Sequence, residues 1–141
     1  MNFLNGIPVF ILGLGDSGLA MARWCVRSGA SVTVWDSRDV PPGAAALREE
    51  LPSASLIGGE LTAAHLGSCQ LVLKSPGLPP LDARITPLLQ EARAAGIAVL
   101  GELDLFAHAL ADLKASQAYA PKVLAVTGTN GKTTTTAMTA L

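Results

Sequence analysis

The residues best suited to chemistry stand in Thr127-Gly128-Thr129-Asn130-Gly131-Lys132-Thr133-Thr134. An aliphatic run, residues 123–126, enters a short glycine loop that ends in Gly-Lys-Thr, and a helical pattern follows. Such a loop offers backbone N–H groups to phosphate oxygens. Lys132 would set a compact positive charge against the β- and γ-phosphates of a nucleotide. The Thr133 hydroxyl would ligate Mg²⁺, with Thr134 as a second candidate. The common form of this motif, G-x-x-x-x-G-K-[ST], needs glycine six residues before the lysine, where Val126 stands. The match is to the shorter pattern Gly128-x-x-Gly131-Lys132-Thr133. Catalysis at such a site is mostly positioning and charge neutralisation, which makes Lys132 and Thr133 the candidate catalytic pair. The competing reading is a glycine-rich β-to-α turn with an exposed lysine.

A second constellation lies near the start. Gly13-Leu14-Gly15-Asp16-Ser17-Gly18 fits G-x-G-x-x-G, between a predicted strand and a predicted helix. Glycine permits a sharp turn and brings bare backbone close to a ligand. The helix start supplies unpaired N–H groups and a positive dipole end. Asp36 ends the next strand, where a carboxylate would accept hydrogen bonds from ribose hydroxyls. Ser37 and Arg38 follow at the mouth of the sheet. Arg38 would stack on a base, pair with a phosphate or stay a solvated loop charge. Ser75, in Ser75-Pro76-Gly77, leaves another strand at the same edge; it either reaches a diphosphate or only opens a turn. For the glycines themselves the competing role is tight strand–helix packing. A nicotinamide-binding dehydrogenase module and a regulatory nucleotide-sensing domain both account for residues 13–36, but a dehydrogenase leaves the Lys132 loop without a purpose.

These loops need elements to aim them. Short β-branched or aliphatic runs alternate with helical patterns, which predicts an α/β fold: a Rossmann-like, mainly parallel five-stranded sheet with flanking helices. Strands are expected at 8–12, 31–35, 55–57, 70–73 and 97–100. Helices are expected at 17–28 and 44–50, from about 84 to 95, and at 102–113, with a turn or two at 62–66. A connector at 114–121, a sixth strand at 123–126 and a helix from 133 would begin a second unit; that strand lacks its sheet here and is expected to be poorly ordered or to pair with another molecule. The division falls near residue 100, giving 1–100 and 101–141. Lys74 interrupts an apolar strand, and no role for it follows from the sequence. Trp24 and Trp35 are expected to be buried or half-buried.

The chain has 141 residues, ten Lys+Arg against eleven Asp+Glu, and only 15% charged residues. Nucleic-acid binding usually needs a basic face, so it is not expected. Half the residues are hydrophobic, which argues against disorder. Cys25 and Cys69 form no disulfide framework, so a reduced, cytoplasmic setting is the default. His65 and His108 stand apart from any acid or cysteine cluster, and neither is expected to bind metal. No stretch is long enough for a membrane span.

Residues 127–134 resemble the ATP loop of the Mur ligase and folylpolyglutamate synthase superfamily. Leu12-Gly13-Leu14-Gly15-Asp16-Ser17-Gly18, Trp35-Asp36-Ser37-Arg38, Ser75-Pro76-Gly77 and Gly101-Glu102-Leu103-Asp104-Leu105-Phe106 resemble, in order and over essentially the whole chain, the D-glutamate-adding branch of the Mur ligase family. The resemblance implies an N-terminal Rossmann-like domain that holds UDP rather than NAD, followed by the start of a central ATP- and Mg²⁺-binding domain. Gly15, Asp16 and Ser17 would then lie near the diphosphate. Asp16 would act through its N–H, because its carboxylate repels phosphate. Asp36, Ser37 and Arg38 would lie at the uracil end, and Ser75 at the phosphate region. The implied substrates are UDP-N-acetylmuramoyl-L-alanine and D-glutamate, and the implied reaction is ATP-driven amide formation in peptidoglycan synthesis. The family's Mg²⁺-binding acid, catalytic histidine, carbamylated lysine and C-terminal domain have no counterparts among these residues. The resemblance therefore also implies that this stretch does not carry out ligation alone.

Overall fold

The computed structural model describes residues 3–140. Five strands form one all-parallel sheet: β1 (Pro8–Leu12), β2 (Ser31–Trp35), β3 (Ser55–Ile57), β4 (Leu71–Lys74) and β5 (Ala98–Gly101), in the order β3-β2-β1-β4-β5. The crossovers carry α1 (Asp16–Arg27), α2 (Ala44–Glu50), a 3₁₀ turn at Ala63–Leu66 and α3 (Thr86–Ala94). Two further helices follow, α4 (Glu102–Gln117) and α5 (Lys132–Thr139).

The central strands β1, β2 and β4 are largely buried, as expected of a parallel sheet covered on both faces. Alternate residues of β1 supply the two faces. Val9 and Ile11 pack with Met21 and Cys25 of α1, Leu47 of α2 and Leu105 of α4. Phe10 and Leu12 pack with Trp35 and with Ile85, Leu88 and Leu89 of the α3 side. The order of strands reverses between β1 and β4, so the chain leaves β1 for one face and β4 for the other. That divergence opens a crevice at the carboxyl ends of the strands, where ligands of open α/β sheets bind.

Most predicted elements form, with small shifts at their ends. α1 starts at Asp16, one residue early, and β4 and β5 each slide one residue forward. α3 starts at Thr86 rather than near 84, because the Asp82 carbonyl accepts the N–H groups of Ile85 and Thr86 in a preceding turn. α4 takes in residues 114–117 of the expected connector and stops where Ala118 turns left-handed at φ 53°. Residues 123–126, the expected sixth strand, form no strand. Val123 and Leu124 are 58% and 76% exposed. A strand is stable only when its N–H and C=O groups are paired, and no strand lies beside this segment among the described residues. The helix after it forms, beginning at Lys132.

Both histidines have structural partners. His65 joins Thr62 in capping the 3₁₀ turn, and His108 meets Phe3 edge-on at 5.2 Å. Trp35 is fully buried and Trp24 partly so. No helix among the described residues is long and apolar enough to cross a membrane.

Where α1 crosses the turn after β1, Gly18 has no spare volume. A Cβ on Gly18 would stand 1.9 Å from the Gly13 carbonyl oxygen. Gly18→Ala is therefore expected to lower unfolding free energy by roughly 2–4 kcal/mol, measured by urea denaturation.

Candidate functional site

The first glycine loop sits at the crevice, and its three glycines have different surroundings. Gly13 turns at φ +92°, a conformation that disfavours side chains, and its N–H donates to the Trp35 carbonyl at 2.7 Å. A Cβ there would also press on Ser75 at 3.1 Å. Gly18 is forced by packing, as described above. Gly15 is different. Its backbone is extended (φ −90°, ψ −162°), it is the N-cap of α1, and a Cβ on it would meet nothing within 4 Å. Two glycines are thus explained by the protein itself, while the third faces open space in front of a helix N-terminus. Asp16 and Ser17 form the first turn of that helix.

Asp36 holds the loop in place. It is only 3% exposed and accepts four hydrogen bonds. The Leu14 N–H donates to Oδ2 at 2.7 Å, and the Arg38 N–H donates to Oδ1 at 2.9 Å. The Arg38 Nε and Nη2 groups donate at 2.8 and 2.7 Å. The ribose role expected of this carboxylate thus meets oxygens that already carry donors of their own chain. Arg38 folds back on Asp36 with its side chain half-exposed instead of reaching outward. The Arg38 guanidinium, assisted by the Leu14 and Arg38 N–H groups and opposed by burial, lowers the Asp36 carboxyl from 3.8 to about 2.

Ser37 stands beside this pair and is joined to a residue that the sequence did not single out. Arg84 Nη1 donates to Ser37 Oγ at 2.7 Å across 47 residues of chain. Asp82 fixes the Arg84 fork, accepting from Nε at 2.9 Å and Nη2 at 2.5 Å. Arg84, with lesser help from Lys74, lowers Asp82 to about 2. A cleft of about 530 Å³ opens here between the end of β2, the loop after β3 and the start of α3. Its floor is held by Trp35, whose Nε1 donates to the Gly59 carbonyl at 2.9 Å. The only sequence signal for Arg84 was its place after Pro79-Pro80, in the loop leaving β4.

Ser75 is 7% exposed and lies against Gly13, at the crevice. The structure also accounts for Lys74. Its Nζ donates to the Leu78 carbonyl at 2.5 Å and to the Ser75 carbonyl at 3.3 Å, tying down the turn that presents Ser75.

The second loop turns on two glycines before a helix start. Gly128 (φ +150°) and Gly131 (φ +77°) take conformations suited to glycine, and Gly131 is the N-cap of α5. Lys132 folds back over the loop, with Nζ 2.5 Å from the Gly128 carbonyl. Thr129 and Asn130 lie in the bend, and Thr133 and Thr134 in the first turn of α5, all exposed. Among the described residues no group of three or more His, Cys, Asp or Glu side chains is arranged to hold a metal ion.

A glycine turn and helix start at the reversal point of a five-stranded parallel sheet define a Rossmann-like α/β module. The family model described as Mur ligase MurD-like, N-terminal domain, matches residues 8–101, and the chain belongs to that family. Among curated relatives, the UDP-N-acetylmuramoylalanine–D-glutamate ligase of Albidiferax ferrireducens is 58% identical over 143 residues, covering all of this chain and 28% of its own. The ligase of the same name from Ralstonia nicotianae is 56% identical over 130 residues, covering 92% of this chain and 26% of its own. The chain thus spans about a quarter of the length of these relatives. Among solved structures, a pseudomurein peptide ligase type C from Methanothermus fervidus shares the fold, with TM-score 0.60 and 22% identity over 92% of this chain and 24% of that one.

The Asp36 arrangement makes a prediction with a definite sign. Its carboxyl is depressed by folding, so the stabilisation is complete above the ordinary value of 3.8 and is lost as pH falls through about 2. The lost amount is about 2 kcal/mol. Urea unfolding followed from neutral to strongly acid pH should show wild type losing about that much more stability than Asp36→Asn. Parallel curves would mean that the ionised carboxylate does not hold the loop.

Proposed function

We propose that this chain holds the UDP moiety of UDP-N-acetylmuramoyl-L-alanine, as the substrate-binding part of an ATP-dependent ligase that joins D-glutamate to it in peptidoglycan synthesis. The observation that carries this reading is Gly15. The fold does not require glycine there, yet the position stands open before the α1 N-terminus, where a diphosphate would meet backbone N–H groups and the helix dipole. Family membership and the ligase names of the relatives support uridine over a nicotinamide dinucleotide.

In this reading Gly15, Asp16 and Ser17 bind the diphosphate through backbone N–H groups and the Ser17 hydroxyl. Ser75 contributes its hydroxyl from the facing turn. Asp36 fixes the loop and Arg38 rather than meeting the sugar, and Ser37 borders the base. Residues 1–100 serve the uridine substrate, and residues 101–141 lead into the ATP-binding part.

The full reaction transfers the γ-phosphoryl group of ATP to the alanyl carboxylate, and the D-glutamate amine then displaces phosphate to form the amide. The second loop suits a triphosphate: its glycines leave the backbone bare, and the Lys132 ammonium lies at the loop, donating to the Gly128 carbonyl. There Gly128, Thr129, Asn130 and Gly131 would cradle phosphate oxygens, and Lys132 would neutralise charge as the phosphoryl group transfers. Thr133, with Thr134 beside it, would hold Mg²⁺, which supplies further charge neutralisation on the phosphates.

Calorimetry with UDP-N-acetylmuramoyl-L-alanine tests the uridine site. Gly15→Val is expected to keep unfolding free energy within about 1 kcal/mol of wild type and to weaken binding at least about tenfold, the cost of placing a side chain where the diphosphate must approach. Wild-type binding to NADH but not to the UDP compound would overturn the reading. For the second loop, Lys132→Ala in the complete ligase is expected to reduce kcat by roughly 10²–10³-fold, read by D-glutamate-dependent phosphate release. Retained turnover would remove Lys132 from the mechanism.

A further inference from the structure

We infer that Lys74 is a positioning residue, which acts on the substrate diphosphate through Ser75 rather than by its own charge. The inference rests on the uridine reading above and adds to it the side chain that holds one wall of the crevice.

The segment after β4 is poor in hydrogen-bond donors. Residues 75–80 read Ser-Pro-Gly-Leu-Pro-Pro, and a proline has no N–H with which to hold a carbonyl. The Ser75 N–H is spent on the Leu12 carbonyl at 2.9 Å, and the Leu78 N–H closes the turn on the Ser75 carbonyl at 3.2 Å. No backbone N–H among the described residues donates to the Leu78 carbonyl. Lys74 supplies what the prolines withhold. Its Nζ bridges the Leu78 and Ser75 carbonyls, one at each end of the turn. Hydrogen bonds from an ammonium are stronger than neutral ones.

The turn held in this way borders the first glycine loop. A Cβ on Gly13 would lie 3.1 Å from the Ser75 Cβ and 3.4 Å from Leu78 Cδ1. Ser75 is 7% exposed, and its hydroxyl makes no hydrogen bond among the described residues. Nearly buried hydroxyls normally have a partner, so this one is open to a ligand at the crevice. The Lys74 ammonium is placed differently. It faces oxygens of its own chain: the two carbonyls and, further off, the Asp82 carboxylate, which it helps to keep ionised. What Lys74 gives to the ligand is therefore the place of Ser75.

Calorimetry with UDP-N-acetylmuramoyl-L-alanine on wild type, Lys74→Met, Ser75→Ala and the double variant tests this. Methionine keeps the aliphatic stem and removes the ammonium, and urea unfolding will verify that each variant folds. Each single change is expected to weaken binding about tenfold, and the double variant also about tenfold rather than about a hundredfold, because both remove the same contact. Lys74→Arg keeps a cationic donor and should recover part of the loss. Amide exchange gives a readout without ligand: the Leu78 N–H should exchange faster in Lys74→Met than in wild type, while the β1 amides stay unchanged. Losses that multiply in the double variant would show that Lys74 acts by its own charge or through overall stability, overturning the inference and leaving the uridine reading intact. Unchanged binding or unchanged Leu78 exchange in Lys74→Met would overturn it as well. A wild type that does not bind the UDP compound would overturn the uridine reading, and this inference with it.

Discussion

The glycine loop exists in its observed shape because one buried carboxylate holds it. Asp36 takes the Leu14 N–H from the loop on one oxygen and the Arg38 N–H on the other, and the Arg38 fork spans both. Buried ionised groups are tolerated only when their lone pairs are satisfied, and here they are. The same contact ties the end of β2 to the turn after β1, alongside the Gly13 N–H to the Trp35 carbonyl. The α1 N-terminus is thereby aimed at the crevice, and Arg38 is kept out of it.

A second carboxylate repeats the device. Asp82 organises Arg84 as Asp36 organises Arg38, and in each case the arginine lies two residues after its acid. The difference lies in what the arginine faces. Arg38 closes on Asp36 beside its own strand, whereas Arg84 extends from the α3 side to Ser37 on the β2 side. The first pair shapes a loop, and the second bridges the rim of a cleft. The Asp82 side chain is 7% exposed and the Arg84 side chain 54%, so the pair anchors a guanidinium that still reaches the cleft rim. Lys74 extends the pattern: a charge placed at the end of an apolar strand pins the turn that carries Ser75.

Much of this is legible in the residues. β1, β2, α2 and β3 fall on the expected boundaries because aliphatic alternation and flanking Gly or Pro are local signals. The glycine spacing at 13, 15 and 18 correctly places a turn between β1 and α1. Local reading fails at residues 123–126. Val-Leu-Ala-Val has strand composition, but composition does not provide the neighbouring strand that must accept its hydrogen bonds. Asp36 stands out for its position at a strand end, while its partners cannot be read, since a carboxylate that binds sugar and one that binds backbone look the same in sequence.

The sequence by itself determined the parallel α/β plan, both glycine loops and the residues at the strand ends, because each depends on short-range periodicity and on conformations that glycine alone adopts readily. Only the tertiary structure decided that Gly15 faces open space while Gly13 and Gly18 face protein, that Asp36 is occupied by its own chain, and that Arg84 meets Ser37. Those outcomes depend on distances between segments far apart along the chain, set by how β2, β4 and α3 pack around Trp35 and Ile85, and no local pattern encodes them.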